Sequence, residues 1–198
     1  MARSYYFITH PDVVISRDVP ITEWPLSERG RARMRAGLEQ PWVRTITSVY
    51  ASTERKAIDG AHILAGHLSL DFEQIPALGE IVRSSTGFLP PSEFEATADE
   101  FFARPDGSVR GWERAIDAQT RIVRAVERLA AVDRTSGAVA IVAHGAVGAL
   151  LHCWLSDRAI ARRYDQPATG GGNYFRFSLT PPTAHSEWLA FGGGRTLG

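Results

Sequence analysis

Short apolar runs alternate with longer amphipathic stretches along this chain. The apolar runs are rich in β-branched residues and predict strands at residues 5–8, 45–51, 69–75 and 137–143. Helical spacing and capping residues predict helices at residues 27–40, 52–68, 92–104, 112–131 and 146–155. The run GAVAIVA at 137–143 has no polar position, which is typical of a central parallel strand buried on both faces.

The order of these elements indicates the fold class. Strands that alternate with helices predict a parallel or mainly parallel sheet with right-handed crossovers. Residues 173–192 predict a C-terminal hairpin, and the glycine-rich residues 192–198 predict a flexible tail. The chain contains no internal repeat and no linker that would mark a domain boundary. We therefore expect a single α/β domain over residues 1–198.

Composition narrows the classes of partner. Lys plus Arg and Asp plus Glu each total 22 in 198 residues, so the net charge is zero. This balance favours neither a nucleic acid nor an anionic membrane as partner, although one pocket can still bind a small anion. The lone Cys153 excludes an intramolecular disulfide, and the sequence shows neither a signal peptide nor a membrane-spanning apolar run. We expect a soluble, cytoplasmic protein.

Polar residues follow three of the predicted strands. The first strand ends in Thr9-His10, the second runs into residues 52–55, and the fourth ends in His144-Gly145. Ligands of open α/β sheets bind at the carboxyl ends of the strands, so two imidazoles and the Arg55 guanidinium are expected to converge there. His144 also leads into a helix, whose first amides favour anions. This combination suits a phosphoryl group, with one imidazole as the nucleophile.

Each of these residues also has a structural interpretation. A single histidine at a strand end is more often a hydrogen-bonding structural residue, and a single arginine at a helix start is more often solvated. Their joint placement at three strand ends is what favours a functional site. The remaining histidines and the cysteine are interpreted as structural or solvent-exposed: His62, His67, His152, His185 and Cys153.

Five motifs in order resemble those of the histidine phosphatase superfamily, which has the phosphoglycerate mutase-like fold. Thr9-His10-Pro11 stands where the family has Arg-His-Gly, and residues 25–30 resemble its Pro-Leu-Thr/Ser-x-x-Gly segment. Residues 51–57 resemble Ser-Ser/Thr-x-x-Arg-Ala, residues 78–80 resemble Leu-x-Glu, and residues 142–145 match Val-x-His-Gly. The resemblance spans roughly residues 4–190 and implies a three-layer α/β/α sandwich with a mainly parallel central sheet.

The resemblance implies a phosphatase mechanism. His10 would be the nucleophile that accepts the phosphoryl group as a phosphohistidine. Arg55, His144 and Gly145 would bind the phosphoryl oxygens, where charge gathers in the transition state. Neither a metal ion nor an organic cofactor would be needed, and the sequence shows no cluster at metal-ligand spacing. The partner would be a small phosphorylated substrate or inorganic phosphate.

The general acid is assigned less directly. Glu80 would protonate the leaving alcohol and then activate water. Because the acid varies among family members, Glu93 and Glu95 stay open as alternatives within loop reach. Glu80 would then be an ordinary surface carboxylate.

The first motif departs from the family pattern. Thr9 replaces an arginine that would offer phosphate a charged, bidentate donor, and Pro11 replaces a flexible glycine. Loss of such a donor from an anion site typically costs on the order of 10²–10³ in rate. Arg17, in the same loop, is a candidate to restore the charge and binding of phosphate. The alternative for Arg17 is a solvated loop residue.

Two functions follow from these observations. The first is a metal-independent phosphomonoesterase that acts through His10 on a small phosphorylated compound. The second is a catalytically impaired member that binds a phosphorylated ligand or partner without efficient turnover, which Thr9 and Pro11 favour. A phosphoglycerate mutase is disfavoured, because a mutase must retain the phosphoryl group that the missing arginine would hold.

Overall fold

The computed structural model of the chain describes residues 2–192, in which one mixed sheet lies between two groups of helices. The strands are β1 (Tyr5–Thr9), β2 (Ile46–Ala51), β3 (Phe72–Gln74), β4 (Ala138–Ala143), β5 (Asn173–Leu179), β6 (Pro182–Ala184) and β7 (Leu189–Ala190). The helices are α1 (Glu28–Gly37), α2 (Arg55–Leu68), α3 (Pro91–Ala103), α4 (Ala115–Val132) and α5 (Gly145–Leu155). None of the helices within these residues is long and apolar enough to cross a membrane.

The strand order is β3-β2-β4-β1-β5-β6, and β7 pairs with β5. The first four strands, β1 to β4, pair with one another in parallel. Strand β5 is antiparallel to β1, β6 and β7. All six residues of β4 are buried, as predicted for a strand at the centre of the sheet. The prediction of a mainly parallel sheet is confirmed.

Alternate residues of β1 enter two different cores. Tyr5 and Phe7 pack into a cluster covered by α3, α4 and α5, whereas Tyr6 and Ile8 pack into a cluster covered by α1 and α2. Since side chains alternate between the faces of a strand, helices on both faces are needed to bury them. The predicted three-layer α/β/α sandwich is confirmed.

Several element ends differ from the predicted ones. The strand predicted at 69–75 shortens to β3, because Ser69 adopts a left-handed φ of 56° as the C-cap that ends α2. The helix predicted from residue 112 begins at Ala115, since Trp112 is buried in the core ahead of it. The C-terminal hairpin forms between β5 and β6, and β7 returns to the start of β5. Gly192 is buried, and the rest of the predicted tail, 193–198, lies outside the described residues.

Candidate active site

The carboxyl ends of β1, β4 and β2 are level with one another. The pairs Thr9–Ala143 and Ala51–Val142 share a register. The backbone N–H of His10 donates to the carbonyl of Ala143 at 3.0 Å, and that of Ser52 donates to Val142 at 3.0 Å. Because β4 lies between the other two strands, the side chains that follow all three meet at one edge of the sheet.

The His10 ring is held by the backbone of the next residue. Nδ1 lies 2.9 Å from the carbonyl oxygen of Pro11. A carbonyl can only accept a hydrogen bond, so Nδ1 carries the ring proton and Nε2 keeps its lone pair. Burial, assisted by the positive charge of Lys56, lowers the pKa of His10 to about 4. The imidazole is therefore neutral near pH 7, the state that a nucleophile requires.

His144 lies beside His10 and is completely buried. The two rings are edge to face with their centroids 5.2 Å apart. Nε2 of His144 lies 2.8 Å from the hydroxyl of Ser52, whereas Nδ1 has no hydrogen-bond partner among residues 2–192. Burial holds the pKa of His144 well below its usual range. Buried ring nitrogens are normally satisfied, so the unpaired Nδ1 is an exception among the buried polar atoms of these residues.

Glu54 and Lys56 form a buried ion pair next to His144. Lys56 also donates to the carbonyl of Ile21 at 2.8 Å, and Glu54 lies 3.5 Å from Nε2 of His144. Burial alone would raise the pKa of Glu54, but His144 and Lys56 together lower it to about 2. The site thus contains a buried ammonium that is held in place by an ionised carboxylate.

Sequence reasoning missed Lys56, although α2 carries a signal for it. The buried residues of α2 recur at four-residue spacing, and Lys56 shares that stripe with Gly60 and Leu64. Arg55 lies about 100° away around the helix and is exposed. Its Nε donates to Asp59 at 2.9 Å, and its side chain lines neither cavity at the strand ends. The structure therefore does not bring Arg55 into the predicted phosphate site, and Lys56 lies there instead.

Arg17 also stays outside the site. Its guanidinium carbon lies 5.2 Å from the centroid of the Phe88 ring, and the side chain is exposed. It lines neither cavity next to His10. The cation–π contact gives this arginine a partner in the segment that precedes α3. The structure thus does not place Arg17 where it would replace the missing arginine.

Glu80 lies at the start of α5, where its carboxylate oxygens accept from three backbone amides. The donors are Ile81 at 3.0 Å, Ala146 at 3.2 Å and Val147 at 3.1 Å. Burial, together with the negative charge of Glu54, raises the pKa of Glu80 despite these bonds. A carboxyl group with a raised pKa beside a nucleophile is suited to donate a proton.

The other two candidate acids are exposed and paired elsewhere. Glu93 forms an ion pair with Arg110 at 3.4 Å, and Glu95 pairs with Arg162 at 2.6 Å. Glu95 lies on the wall of the smaller cavity, whereas Glu93 lines neither cavity. Of the three carboxylates considered from the sequence, only Glu80 borders both cavities beside His10.

Two cavities meet at His10 and Glu80, which line both of them. The larger, about 620 Å³, contains the cations Lys56, Arg83 and Arg121. Arg121 is bound to Glu113 and to three carbonyls, whereas Arg83 lies 5.0 Å from the Phe94 ring and forms no ion pair within residues 2–192. Glu54 and Glu80 line the same cavity, and Lys56 and Arg121 each have an acidic partner. Within the described residues, Arg83 is therefore the cation on this wall whose charge is free to attract an anionic ligand.

The smaller cavity, about 540 Å³, has a mixed wall that includes Gly145 and Gln166. Four aromatic side chains line it (Phe94, Phe101, Phe102 and Trp112), together with four carboxylates (Asp12, Glu80, Glu95 and Asp165) and Arg162. Gly145, the first residue of α5, lines this cavity, and its predicted role in phosphate binding stays a prediction. The two following amides are already bound to Glu80, so fewer helix amides face the cavity than the sequence suggested. Among residues 2–192, no group of three His, Cys, Asp or Glu side chains is arranged to hold a metal ion.

Thr9 is completely buried and its hydroxyl is fully engaged. Oγ1 donates to Oε1 of Gln166 at 2.7 Å and accepts from the backbone N–H of Asn173 at 3.0 Å. The structure thus brings Thr9 next to His10 but turns its hydroxyl toward neighbouring protein groups. Sequence reasoning missed Gln166, because nothing in the local pattern of residues 165–172 marks it.

A family model for the histidine phosphatase superfamily (branch 1) matches residues 14–173. The match covers most of the chain, and the chain belongs to this superfamily. It begins after the Thr9–Pro11 segment, the motif in which this chain departs from the family pattern. No curated protein sequence matches the chain significantly.

Solved structures similar to this chain include phosphatases. Mycobacterial glucosyl-3-phosphoglycerate phosphatase has a TM-score of 0.78 at 20% identity, covering 98% of this chain and 100% of its own. Its complex with inorganic phosphate has a TM-score of 0.74 at 22% identity, over 95% of each chain. YhfR of Bacillus stearothermophilus has a TM-score of 0.73 at 26% identity, over 93% of this chain and 95% of its own. These likenesses agree with the fold described above.

Proposed function

We propose that this protein is a phosphatase that hydrolyses a small phosphomonoester through a phosphohistidine on His10, in the cytoplasm and without a metal ion. The observation that carries the proposal is the juxtaposition of His10, His144 and Lys56 at the strand ends. A neutral imidazole with a free Nε2 lies beside an unpaired ring nitrogen and a buried ammonium. A nucleophile next to donors for an anion is the arrangement that phosphoryl transfer requires.

In the first step, the lone pair of His10 Nε2 attacks phosphorus, and the bond from phosphorus to the ester oxygen breaks. The leaving oxygen takes the proton of Glu80, whose raised pKa keeps that proton available. The imidazole ring gains positive charge as the N–P bond forms. The hydrogen bond from Nδ1 to the Pro11 carbonyl stabilises that charge.

In the second step, Glu80 is a carboxylate and takes a proton from water, whose oxygen attacks the phosphorus. The N–P bond breaks, inorganic phosphate leaves, and His10 recovers its neutral ring. Lys56 lines the cavity and is a fixed positive charge near the phosphoryl group in both steps. Ser52 can donate its hydroxyl proton to Nε2 of His144, which leaves a proton on Nδ1 for a phosphoryl oxygen.

The alternative is a member that binds a phosphorylated ligand without efficient turnover. The engaged hydroxyl of Thr9 favours it, because that side chain offers phosphate no free donor. Assays with p-nitrophenyl phosphate and with alkyl and sugar phosphates, in excess chelator, distinguish the phosphatase from the binding protein. Hydrolysis that persists with the chelator supports the phosphatase. Calorimetric binding of inorganic phosphate without hydrolysis of any of these esters supports the alternative.

The pKa values predict a bell-shaped pH profile of kcat/KM for an alkyl phosphate. The rate falls below about pH 4, where His10 becomes protonated and loses its lone pair. On the alkaline side it falls as Glu80, with its raised pKa, loses the proton that it must donate. Glu80→Gln is expected to remove the alkaline limb and keep the acid limb. An alkaline limb that is unchanged in this variant would contradict the acid role of Glu80.

Lys56 and its neighbour Arg55 form a matched pair for mutation. Lys56→Met is expected to lower kcat/KM by roughly 10²-fold, because it removes a fixed donor from the anion site. Arg55→Met is expected to change it by less than about two-fold, since Arg55 lines neither cavity and Asp59 keeps its ion pair with Arg31. Steady-state kinetics on p-nitrophenyl phosphate measure both effects.

Folding needs a separate control, because Lys56→Met leaves Glu54 as an unpaired buried carboxylate. The double variant Glu54→Gln/Lys56→Met removes both charges and is expected to melt at a higher temperature than Lys56→Met while still losing activity. A larger loss in Arg55→Met than in this double variant would show that Arg55 is the phosphate-binding cation.

A further inference from the structure

The side chain of Gln166 reaches the strand ends from the loop that precedes β5. Its Oε1 accepts a hydrogen bond from Thr9 Oγ1 at 2.7 Å and another from Asn173 Nδ2 at 3.0 Å. Both donors lie on the side of β1 and β5, so the oxygen of the amide faces those strands. Because Oε1 accepts from both donors, the oxygen of the amide must face them and the NH₂ group must face the opposite way. The Nε2 group of Gln166 is therefore directed away from Thr9 and Asn173.

The position of Nε2 is defined by Gly145. A Cβ atom at residue 145 would come within 2.3 Å of Nε2, so the amide nitrogen lies directly over the first residue of α5. Gly145, His10 and Gln166 line the same cavity. Within the described residues 2–192, Nε2 donates no hydrogen bond, whereas Oε1 accepts two. An N–H donor without a partner among these residues thus borders the cavity that His10 also lines.

This arrangement accounts for the unusual first motif. Thr9 stands where the family pattern has an arginine, and its hydroxyl is engaged by Gln166 and by the backbone of Asn173. Its hydroxyl instead orients an amide that comes from the other end of the chain. Gly145 leaves the space that this amide needs.

We propose that Gln166 binds a phosphoryl oxygen through Nε2 and takes the place of the missing arginine, and that Thr9 is a positioning residue that acts through Gln166. This inference rests on the proposed function, because it concerns the same phosphoryl group. A neutral amide donates to oxyanions more weakly than a guanidinium does, so it binds the ground state less tightly. It can still stabilise charge that develops on an oxygen in the transition state.

The test uses Gln166→Ala, Gln166→Glu and Thr9→Val in the full chain, assayed with p-nitrophenyl phosphate and with vanadate as inhibitor. Gln166→Ala is expected to lower kcat/KM by roughly 10²-fold and to weaken vanadate inhibition by a similar factor. Thr9→Val leaves the amide in place without one anchor, so a smaller loss that falls mainly on kcat is expected. Gln74→Ala, an exposed glutamine on β3, is the matched control.

Gln166→Glu separates binding from folding, because it keeps the shape of the side chain. Its carboxylate repels an oxyanion, so vanadate inhibition relative to wild type is expected to weaken further as pH rises through the titration of the introduced group. A structural role would not produce that pH dependence. Melting temperatures of all variants are measured alongside.

The outcomes distinguish this inference from the proposed function. A wild-type protein that hydrolyses no phosphomonoester contradicts the proposed function, and calorimetry with vanadate on the same variants then still tests Gln166. A wild-type enzyme whose kcat/KM and vanadate inhibition are unchanged in Gln166→Ala contradicts the inference alone. Loss of activity in Gln166→Ala with vanadate inhibition unchanged in Gln166→Glu at every pH also contradicts it.

Discussion

His10→Ala is expected to abolish hydrolysis of phosphomonoesters, with a fall in kcat of roughly 10⁴–10⁶-fold, the range typical for removal of a nucleophile. The neighbouring imidazole of His144 cannot replace it, because Nε2 accepts from Ser52 and the ring proton then lies on Nδ1, which leaves no free lone pair for attack. Steady-state kinetics on p-nitrophenyl phosphate measure the loss. Acid-quench labelling with radioactive substrate measures the intermediate, which should be present in wild type and absent in the variant.

The matched control is His67→Ala, an exposed histidine in the last turn of α2 that lines neither cavity. It is expected to keep both turnover and the labelled intermediate. If His10→Ala retains turnover within tenfold of wild type, the nucleophile has been assigned to the wrong residue. If turnover is lost but the label persists, another side chain carries the phosphoryl group.

Glu80→Gln is expected to lower kcat for alkyl phosphates by roughly 10²–10⁴-fold, because an alkoxide cannot leave without a proton. Nitrophenolate is a much better leaving group, so the first step on p-nitrophenyl phosphate should survive. Water activation also needs Glu80, and the phosphoenzyme is therefore expected to accumulate. Rapid-mixing kinetics should show a burst of nitrophenolate that approaches one equivalent per active site, followed by slow turnover.

Glu95→Gln is the matched control, since it removes an exposed carboxylate from the wall of the smaller cavity. It is expected to leave both phases of the reaction close to those of wild type. A loss confined to Glu95→Gln would assign the acid to that residue. Equal losses on alkyl and aryl esters in Glu80→Gln, without a burst, would show that Glu80 supports the start of α5 and transfers no proton.

Much of the fold could be predicted from local pattern. The run 137–143 contains only apolar residues because β4 is covered on both faces, so its burial is visible in the sequence. Parallel strands end at the same edge of a sheet, and this rule alone predicts that His10 and His144 lie close together. Their rings are 5.2 Å apart in the structure. The first and last residues of several elements were less predictable, because caps such as Ser69 and packing at Trp112 decide them.

The cation that lies at the strand ends could not be identified from motif position alone. Arg55 and Lys56 are adjacent, and both are cations at the start of a helix, as the motif requires. Successive residues of a helix point in directions about 100° apart. The rotation of α2 about its axis, relative to the sheet, therefore decides which of these two side chains enters the site. Lys56 falls on the buried face and Arg55 on the exposed one.

The fold class, the central strand and the two histidines at the strand ends follow from the amino-acid sequence, because they depend on periodicity and on rules of sheet topology. Folding in three dimensions is what brings Lys56 rather than Arg55 to the site and places Thr9 against Gln166 across 157 residues of chain. Contacts between segments so far apart depend on where a loop returns to the sheet and on the direction of each side chain. No local pattern of residues encodes either one.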